Sequence, residues 1–384
     1  MTPDVSSLRI GLDAREAFRE NPRGIGLYAR HLVREFGSLC PETEFLLYHE
    51  RPNPPDLPPI PKAMRPVRAT CKGDRFLAWE RLLMPWRIRR DALSVYHGTY
   101  NTLPPQWPLW KGPPMVVSIH DLIVVWHDED LHDPYIRYCR QATRRFVRDA
   151  AHILTVSEWS KRDILERYPV DPSKITVFYN GVHPDFLAGA PEGAGLAART
   201  KYAGGRPYLF AVGAPLPRKN TGRMLEALGL LHARKPLEHR ILVSGLGTEA
   251  QQKFGAIAGR VGLADQVRFL PYVSRSDLVG LYAGADLSIY PSLVEGWGIP
   301  VIESLVLGTP VITSNTSGMA EAAGPHGHLF DPTNLDSMVE GIAQAIADRA
   351  RFASIRDEAV QRARTFTWRR AAEVTLQVYQ QVAR

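Results

Sequence analysis

Cysteine is scarce in this chain of 384 residues. The three present, Cys40, Cys71 and Cys139, are scattered, odd in number and free of C-x-x-C spacing. That pattern excludes a disulfide framework and a structural zinc site, and points to a reducing compartment. Long apolar runs are missing too, since no window reaches the ~18 apolar residues of a spanning helix. The opening MTPDVSSLRIGLD has no basic stretch leading into an apolar core. Neither a signal peptide nor an integral membrane protein is therefore expected, and the location read from the sequence is cytoplasmic. The net charge of +7 is modest. Nucleic-acid binding needs a basic face rather than a mild excess, so no nucleic-acid partner is expected.

The length suits two domains, each able to bury its own core. In the first half, short apolar runs alternate with helical patterns, and strands are predicted at Leu8–Leu12, Phe45–Tyr48, Val95–His97, Val116–Ile119, His152–Val156 and Ile175–Phe178. Nearly all-apolar strands separated by helices indicate a parallel sheet covered on both faces. A proline-dense stretch, Pro52–Pro66, reads as a loop that can be neither helix nor central strand. The run AGAPEGAGLAARTKYAGG, residues 188–205, reads as a linker. A second series of strands follows at Tyr208–Val212, Ile241–Ser244, Val267–Phe269, Leu287–Tyr290, Val311–Thr313 and His328–Phe330. The expected organisation is an α/β chain of two doubly wound, Rossmann-like domains, 1–187 and 206–366, facing a cleft. Ligands of such sheets bind at the carboxyl ends of the strands.

Three segments at predicted carboxyl ends carry chemistry. In PSLVEGWGIPVIESLVLGTPVI, residues 291–312, a strand leads through Gly296-Trp297-Gly298 into a helix opening at Pro300. Amides at a helix start are donors with partial positive charge, suited to a diphosphate. Glu295 and Glu303 flank the turn; eight residues of helix separate them by roughly 12 Å. That is wider than the ~5–9.5 Å carboxyl pair of a glycoside hydrolase. The span suits a nucleotide-sugar, with one acid at the sugar, one at the ribose, and the phosphates between. The second segment, Val212-Gly213-Ala214-Pro215-Leu216-Pro217-Arg218-Lys219-Asn220, lets backbone approach a ligand at Gly213 and sets two cations on the loop after a strand. In the first domain, Asp13 ends a strand, Arg23-Gly24-Ile25-Gly26 leads into a helix, and His120-Asp121 follows Val116–Ile119, with His97 placed similarly. Asp128-Glu129-Asp130 matches the D-x-D pattern of a metal-held diphosphate, but it reads as a solvated acidic loop, and no metal site is expected.

Two basic concentrations remain, Arg75–Arg90 with Trp79 and Trp86 interleaved, and Arg137, Arg140, Arg144, Arg145 and Arg148. They fit either ordinary surface helices with aromatics facing the core or a peripheral contact with an anionic bilayer.

Taken together, the glycine loop, His120-Asp121, Val156-Ser157-Glu158-Trp159-Ser160, Asn180-Gly181-Val182, Pro217-Arg218-Lys219-Asn220 and a glutamate pair with seven residues between, set in E-G-W-G-I-P, resemble a retaining glycosyltransferase of family 4 with the GT-B fold. The resemblance implies a polysaccharide-type hexosyltransferase, favouring mannose from GDP-mannose, with a nucleotide-sugar donor, a glycan or lipid-linked oligosaccharide acceptor and no cofactor. It implies that Glu295 contacts the donor sugar, that Glu303 holds the ribose hydroxyls, and that Arg218 and Lys219 neutralise the diphosphate with amides near Gly296, Gly298 and Ile299. Gly24 and Gly26 would close over the donor and His120 would bind or orient the sugar. The C-terminal helix, from Thr367 onward, would return to the first domain. Many relatives carry arginine directly after the glycine matching Gly213, whereas this chain has Ala214. A nucleotide-sugar epimerase, a sugar phosphorylase and a non-catalytic nucleotide-binding scaffold are the competing readings.

Overall fold

A computed structural model describes residues 3–22, 24–57, 59–70, 78–106, 112–126 and 134–384. The chain forms two compact units, Met1–Gly181 with Thr367–Arg384, and Val182–Phe366.

The first unit holds seven strands: β1 (Arg9–Asp13), β2 (Glu44–His49), β3 (Met64–Arg68), β4 (Val95–Gly98), β5 (Met115–Ser118), β6 (His152–Thr155) and β7 (Ile175–Val177). They pair in parallel in the order β3-β2-β1-β4-β5-β6-β7. The strand order reverses between β1 and β4, opening a crevice at their carboxyl ends. β3 is a correction to the expected Pro52–Pro66 loop. Pro66 sits inside a strand, and β3 tolerates it because it lies at the sheet edge, where a missing N–H costs no central ladder bond.

The second unit repeats the design with β8 (Tyr208–Val212), β9 (Arg240–Ser244), β10 (Val267–Phe269), β11 (Leu287–Tyr290), β12 (Val311–Ser314) and β13 (His328–Phe330), again all parallel, in the order β10-β9-β8-β11-β12-β13. Its reversal falls between β8 and β11. One face of the sheet is covered by the helices Thr221–Arg234 and Leu335–Ala347, whose Leu225, Leu228, Met338 and Ile342 share a buried cluster with Ile241, Val243 and Ile289.

The expected linker 188–205 is also corrected. Within it, Ala194–Ala203 is a helix bounded by left-handed Gly193 and Gly204. Small residues serve close packing here rather than flexibility. A Cβ on Gly195 would stand 3.0 Å from the Ala283 carbonyl carbon, and one on Gly280 would stand 3.0 Å from the Ala194 oxygen. The helix therefore belongs to the second unit, which begins at Val182. Its first and last residues meet, as the Val182 N–H donates to the Phe366 carbonyl at 3.0 Å. Thr367 then caps the helix Trp368–Val382 by accepting from the Arg370 N–H, and this helix buries Ala371, Leu376 and Tyr379 in the first unit.

Candidate functional site

The switch point of the second sheet gathers most of the residues singled out in the sequence. At the end of β8, Gly213 donates its N–H to Ser244 at 2.8 Å; a Cβ there would stand 2.8 Å from Val243 Cγ1. The chain then makes a 3-10 turn, Pro217–Lys219, and Asn220 takes the left-handed conformation at φ 58° before the helix Thr221–Arg234. The Asn220 side-chain amide donates to the Pro332 carbonyl at 2.9 Å instead of capping that helix.

Past β11, Leu293 donates its N–H to the Arg218 carbonyl at 2.7 Å, fastening the two loops together. Glu295 comes next. Its backbone is held from both sides, its N–H donating to Ser317 Oγ at 3.2 Å and its carbonyl accepting from the Gly318 N–H at 3.0 Å. Ser317 adopts φ 60°, uncommon for a non-glycine residue. A Cβ on Gly318 would collide with the Gly296 carbonyl, so the glycine loop and the start of the helix Ser317–Ala323 touch backbone to backbone. Trp297 anchors the loop edge-on against Phe366, with ring centroids 5.1 Å apart.

The Glu295 carboxylate meets both cations of the other loop, Arg218 Nη1 at 2.7 Å and Lys219 Nζ at 2.7 Å. Beside it, the helix Ile299–Val306 begins after Gly298, with Pro300 at its second position, one residue later in the helix than expected. Neither this helix nor Thr221–Arg234 has a side-chain cap or an acidic residue in its first turn. Two helix starts with donor amides and partial positive charge therefore face the same switch point as Arg218 and Lys219. An anionic ligand is what such a place stabilises.

Glu303 is the fifth residue of the Ile299–Val306 helix and accepts from Tyr282 Oη at 3.0 Å. Part of the side chain still reaches solvent, but close packing around the carboxyl pushes its pKa up to about 7, against the opposing hydrogen bond from Tyr282 and the charge of Arg275. Near neutral pH this carboxyl is poised between a hydrogen-bond donor and a charged acceptor.

The first unit is different in kind. His120 is buried, donates from Nε2 to the Thr99 carbonyl at 3.1 Å, and lies edge-on to Tyr28 with ring centroids 4.7 Å apart. Burial lowers its pKa to about 4, so it is neutral at pH 7 and Nδ1 is its acceptor. Tyr28 lies in the helix Ile25–Leu39, whose start is Gly24 at φ 49° and whose Gly26 packs beneath Glu16. The structure thus brings the glycine loop's helix and His120 together, while Arg23 lies outside the described residues. His97 is a core residue rather than a site residue. Both ring nitrogens are engaged, Nδ1 with Tyr379 Oη and Nε2 with Ser118 Oγ at 2.8 Å, and Ser118 continues to Tyr28 Oη at 2.7 Å.

Asp13, singled out in the sequence at the end of β1, belongs to a buried charge cluster whose other members, Arg15 and Glu80, sequence reading missed. Arg15, 1% exposed, pairs with Asp13 at 2.6 Å and with Glu80 at 2.7 Å, both also buried. Tyr138 and Thr102 donate to Glu80, and Thr99 donates to the Asp13 carbonyl. Glu80 lies 65 positions from Arg15, beyond the reach of any local pattern.

The basic segment near Trp79 divides. Trp79, Met84 and Ile88 are core residues, whereas Leu82 and Trp86 are 65% and 48% exposed, and the Arg87 and Arg90 guanidinium groups lie against the Trp86 ring. Arg75 and the acidic loop containing Asp128, Glu129 and Asp130 lie outside the described residues. Among the described residues no helix is long and apolar enough to cross a membrane.

Two parallel Rossmann-like sheets, the second with a cationic switch point at two uncapped helix starts, form the GT-B fold of glycosyltransferases. Residues 22–186 match the model described as Glycosyltransferase Family 4, and residues 197–366 match the one described as Glycosyl transferases group 1. Between them these matches take in most of the chain, and the protein belongs to glycosyltransferase family 4. It is 26% identical over 381 residues to the O-antigen chain mannosyltransferase B of Escherichia coli, covering 95% of this chain and 98% of that one. It is 30% identical over 281 residues to a D-inositol 3-phosphate glycosyltransferase of Thermobispora bispora, covering 70% of this chain and 65% of that protein. Among solved structures, sucrose-phosphate synthase from Thermosynechococcus elongatus superposes with a TM-score of 0.75 at 18% identity, covering 97% of this chain and 98% of that one.

Proposed function

We propose that this glycosyltransferase takes a hexosyl group from a nucleotide-sugar, without a bound metal, and passes it with retention of anomeric configuration to a glycan or lipid-linked oligosaccharide of a cell-surface polysaccharide. The observation that carries the reading is the convergence of Arg218, Lys219 and two uncapped helix starts on one switch point, with Glu295 paired to both cations and Glu303 in the helix that starts there. Cations and helix starts suit the diphosphate, Glu303 suits the ribose hydroxyls, and Glu295 suits the sugar. The acceptor hydroxyl attacks the anomeric carbon on the face from which the diphosphate leaves. The new C–O bond forms as the old one breaks, and the departing phosphate oxygen takes the hydroxyl proton. Stabilising the charge on that leaving group is then the protein's main contribution. His120, neutral and buried, orients the sugar rather than transferring a proton.

The sequence relationship to an O-antigen mannosyltransferase favours mannose, with GDP-mannose as donor. The relative named for D-inositol 3-phosphate favours including that acceptor in the same assay. Exposed Leu82 and Trp86 among arginines support a peripheral seat on the inner membrane face, which cosedimentation with anionic vesicles, falling as salt rises, would test. The central experiment titrates GDP, UDP, dTDP and ADP calorimetrically in excess chelator, then determines the anomeric configuration of the product by NMR. Binding of one nucleotide and a retained configuration support the reading. Binding of none, with or without magnesium, sinks it.

A further inference from the structure

The cations assigned to the diphosphate are already engaged. Arg218 and Lys219 each stand 2.7 Å from Glu295, and among the described residues neither side chain has another acceptor. The carboxylate has no other side-chain partner there. All three side chains are partly covered, at 21%, 28% and 14% exposure, so the pairing is only partly screened by water. The backbones on both sides are fastened. The Arg218 carbonyl is held by Leu293, and Glu295 is held by Ser317 and Gly318. A change of partner is therefore confined to side-chain rotation, with no loop movement required.

We propose that Glu295 is a built-in competitor for the diphosphate, holding Arg218 and Lys219 until a donor arrives and taking them back when the nucleotide leaves. The charges favour exchange in both directions. One carboxylate leaves the triad with a net positive charge, so a diphosphate carrying more than one negative charge displaces it. Displacement leaves Glu295 unpaired beside the position of the sugar, where the reading above requires it. After transfer, the same carboxylate competes with the nucleoside diphosphate product and hastens its departure. The triad thus couples arrival of the diphosphate to release of the carboxylate that faces the sugar. This inference rests on Arg218 and Lys219 being the diphosphate site.

The test is calorimetric titration of inorganic pyrophosphate and of the nucleoside diphosphates, in chelator, with the full chain as wild type, Glu295→Gln, Glu295→Asp and the double variant Arg218→Ala with Lys219→Ala. Glu295→Gln keeps the shape of the side chain and removes its charge. It should bind pyrophosphate roughly tenfold tighter than wild type while turnover falls, with stronger inhibition by the nucleotide product. Glu295→Asp, which keeps the charge on a shorter stem, should fall between the two. Unchanged or weaker pyrophosphate binding in folded Glu295→Gln, as judged by its thermal melt, overturns the competitor role, and it leaves the diphosphate site standing if the double variant still weakens binding. If the double variant binds pyrophosphate as well as wild type, or if no protein in the set binds it, both the competitor and the site it competes for are refuted.

Discussion

The two sheets share one strand order, with one more strand, β7, in the first, yet their carboxyl ends use polar residues in opposite ways. At the end of β1, Arg15 is enclosed with Asp13 and Glu80, and every charge is met by a fixed partner. Beside β4 and β5, Tyr379, His97, Ser118 and Tyr28 form a buried chain of hydrogen bonds. At the end of β8 and β11 the charges keep 14–28% exposure, two cations share one carboxylate, and two helix starts are uncapped. The first arrangement holds a fold together, and the second is the one proposed to take a ligand. Buried ion pairs are costly to break and surface-accessible ones are cheap to exchange, so burial rather than residue type separates the two roles.

The largest effect should come from breaking the first arrangement. Arg15→Ala leaves two buried carboxylates without their cation and should cost about 3–5 kcal/mol in chemical denaturation. A loss below 1 kcal/mol would mean that the cluster is hydrated and the contrast is wrong. Arg218→Ala should do the reverse, leaving the melting temperature almost unmoved while nucleoside-diphosphate binding weakens by about 1.5–3 kcal/mol by calorimetry. Next in size is a pH effect. On the proposed function, Glu303 must be ionised to accept from a ribose diol, so nucleotide affinity should rise about tenfold from pH 6 to pH 8 and release a proton; Glu303→Gln should flatten the profile. Its raised pKa also means that the stability it contributes is present below its ordinary 4.5 and is lost as pH rises through about 7. The smallest effect is expected from Tyr379→Phe, which removes one partner of His97 and should cost about 1 kcal/mol without altering nucleotide affinity.

The same contrast explains what could be read from the sequence. Apolar strands in β8, β9, β11 and β12 announce themselves because a doubly covered parallel strand has little polar content. β3 escaped because Pro66 is a poor strand residue everywhere except at an edge, and edge position is a property of the finished sheet. The helix Ala194–Ala203 escaped because its glycine and alanine content is the same whether a segment is a tether or a close-packed surface. The loops bearing Glu295, Arg218 and Lys219 could be recognised one by one, but their meeting could not, since 77 positions separate Arg218 from Glu295. Arg15 and Glu80 left no trace, because nothing in a sequence distinguishes a buried arginine from an exposed one until its partners are known.

The hydrogen bond between Val182 and Phe366 makes the second unit an insert whose two ends are already joined. Such a unit can be lifted out of the surrounding chain by cutting at two neighbouring points, without unthreading a single strand of the other sheet. For evolution, this is a means of exchanging one unit of the molecule as a cassette while keeping the other. For the bench, residues 182–366 form a natural boundary for building chimaeras, and grafting them between relatives would show which half of the molecule decides which sugar is moved.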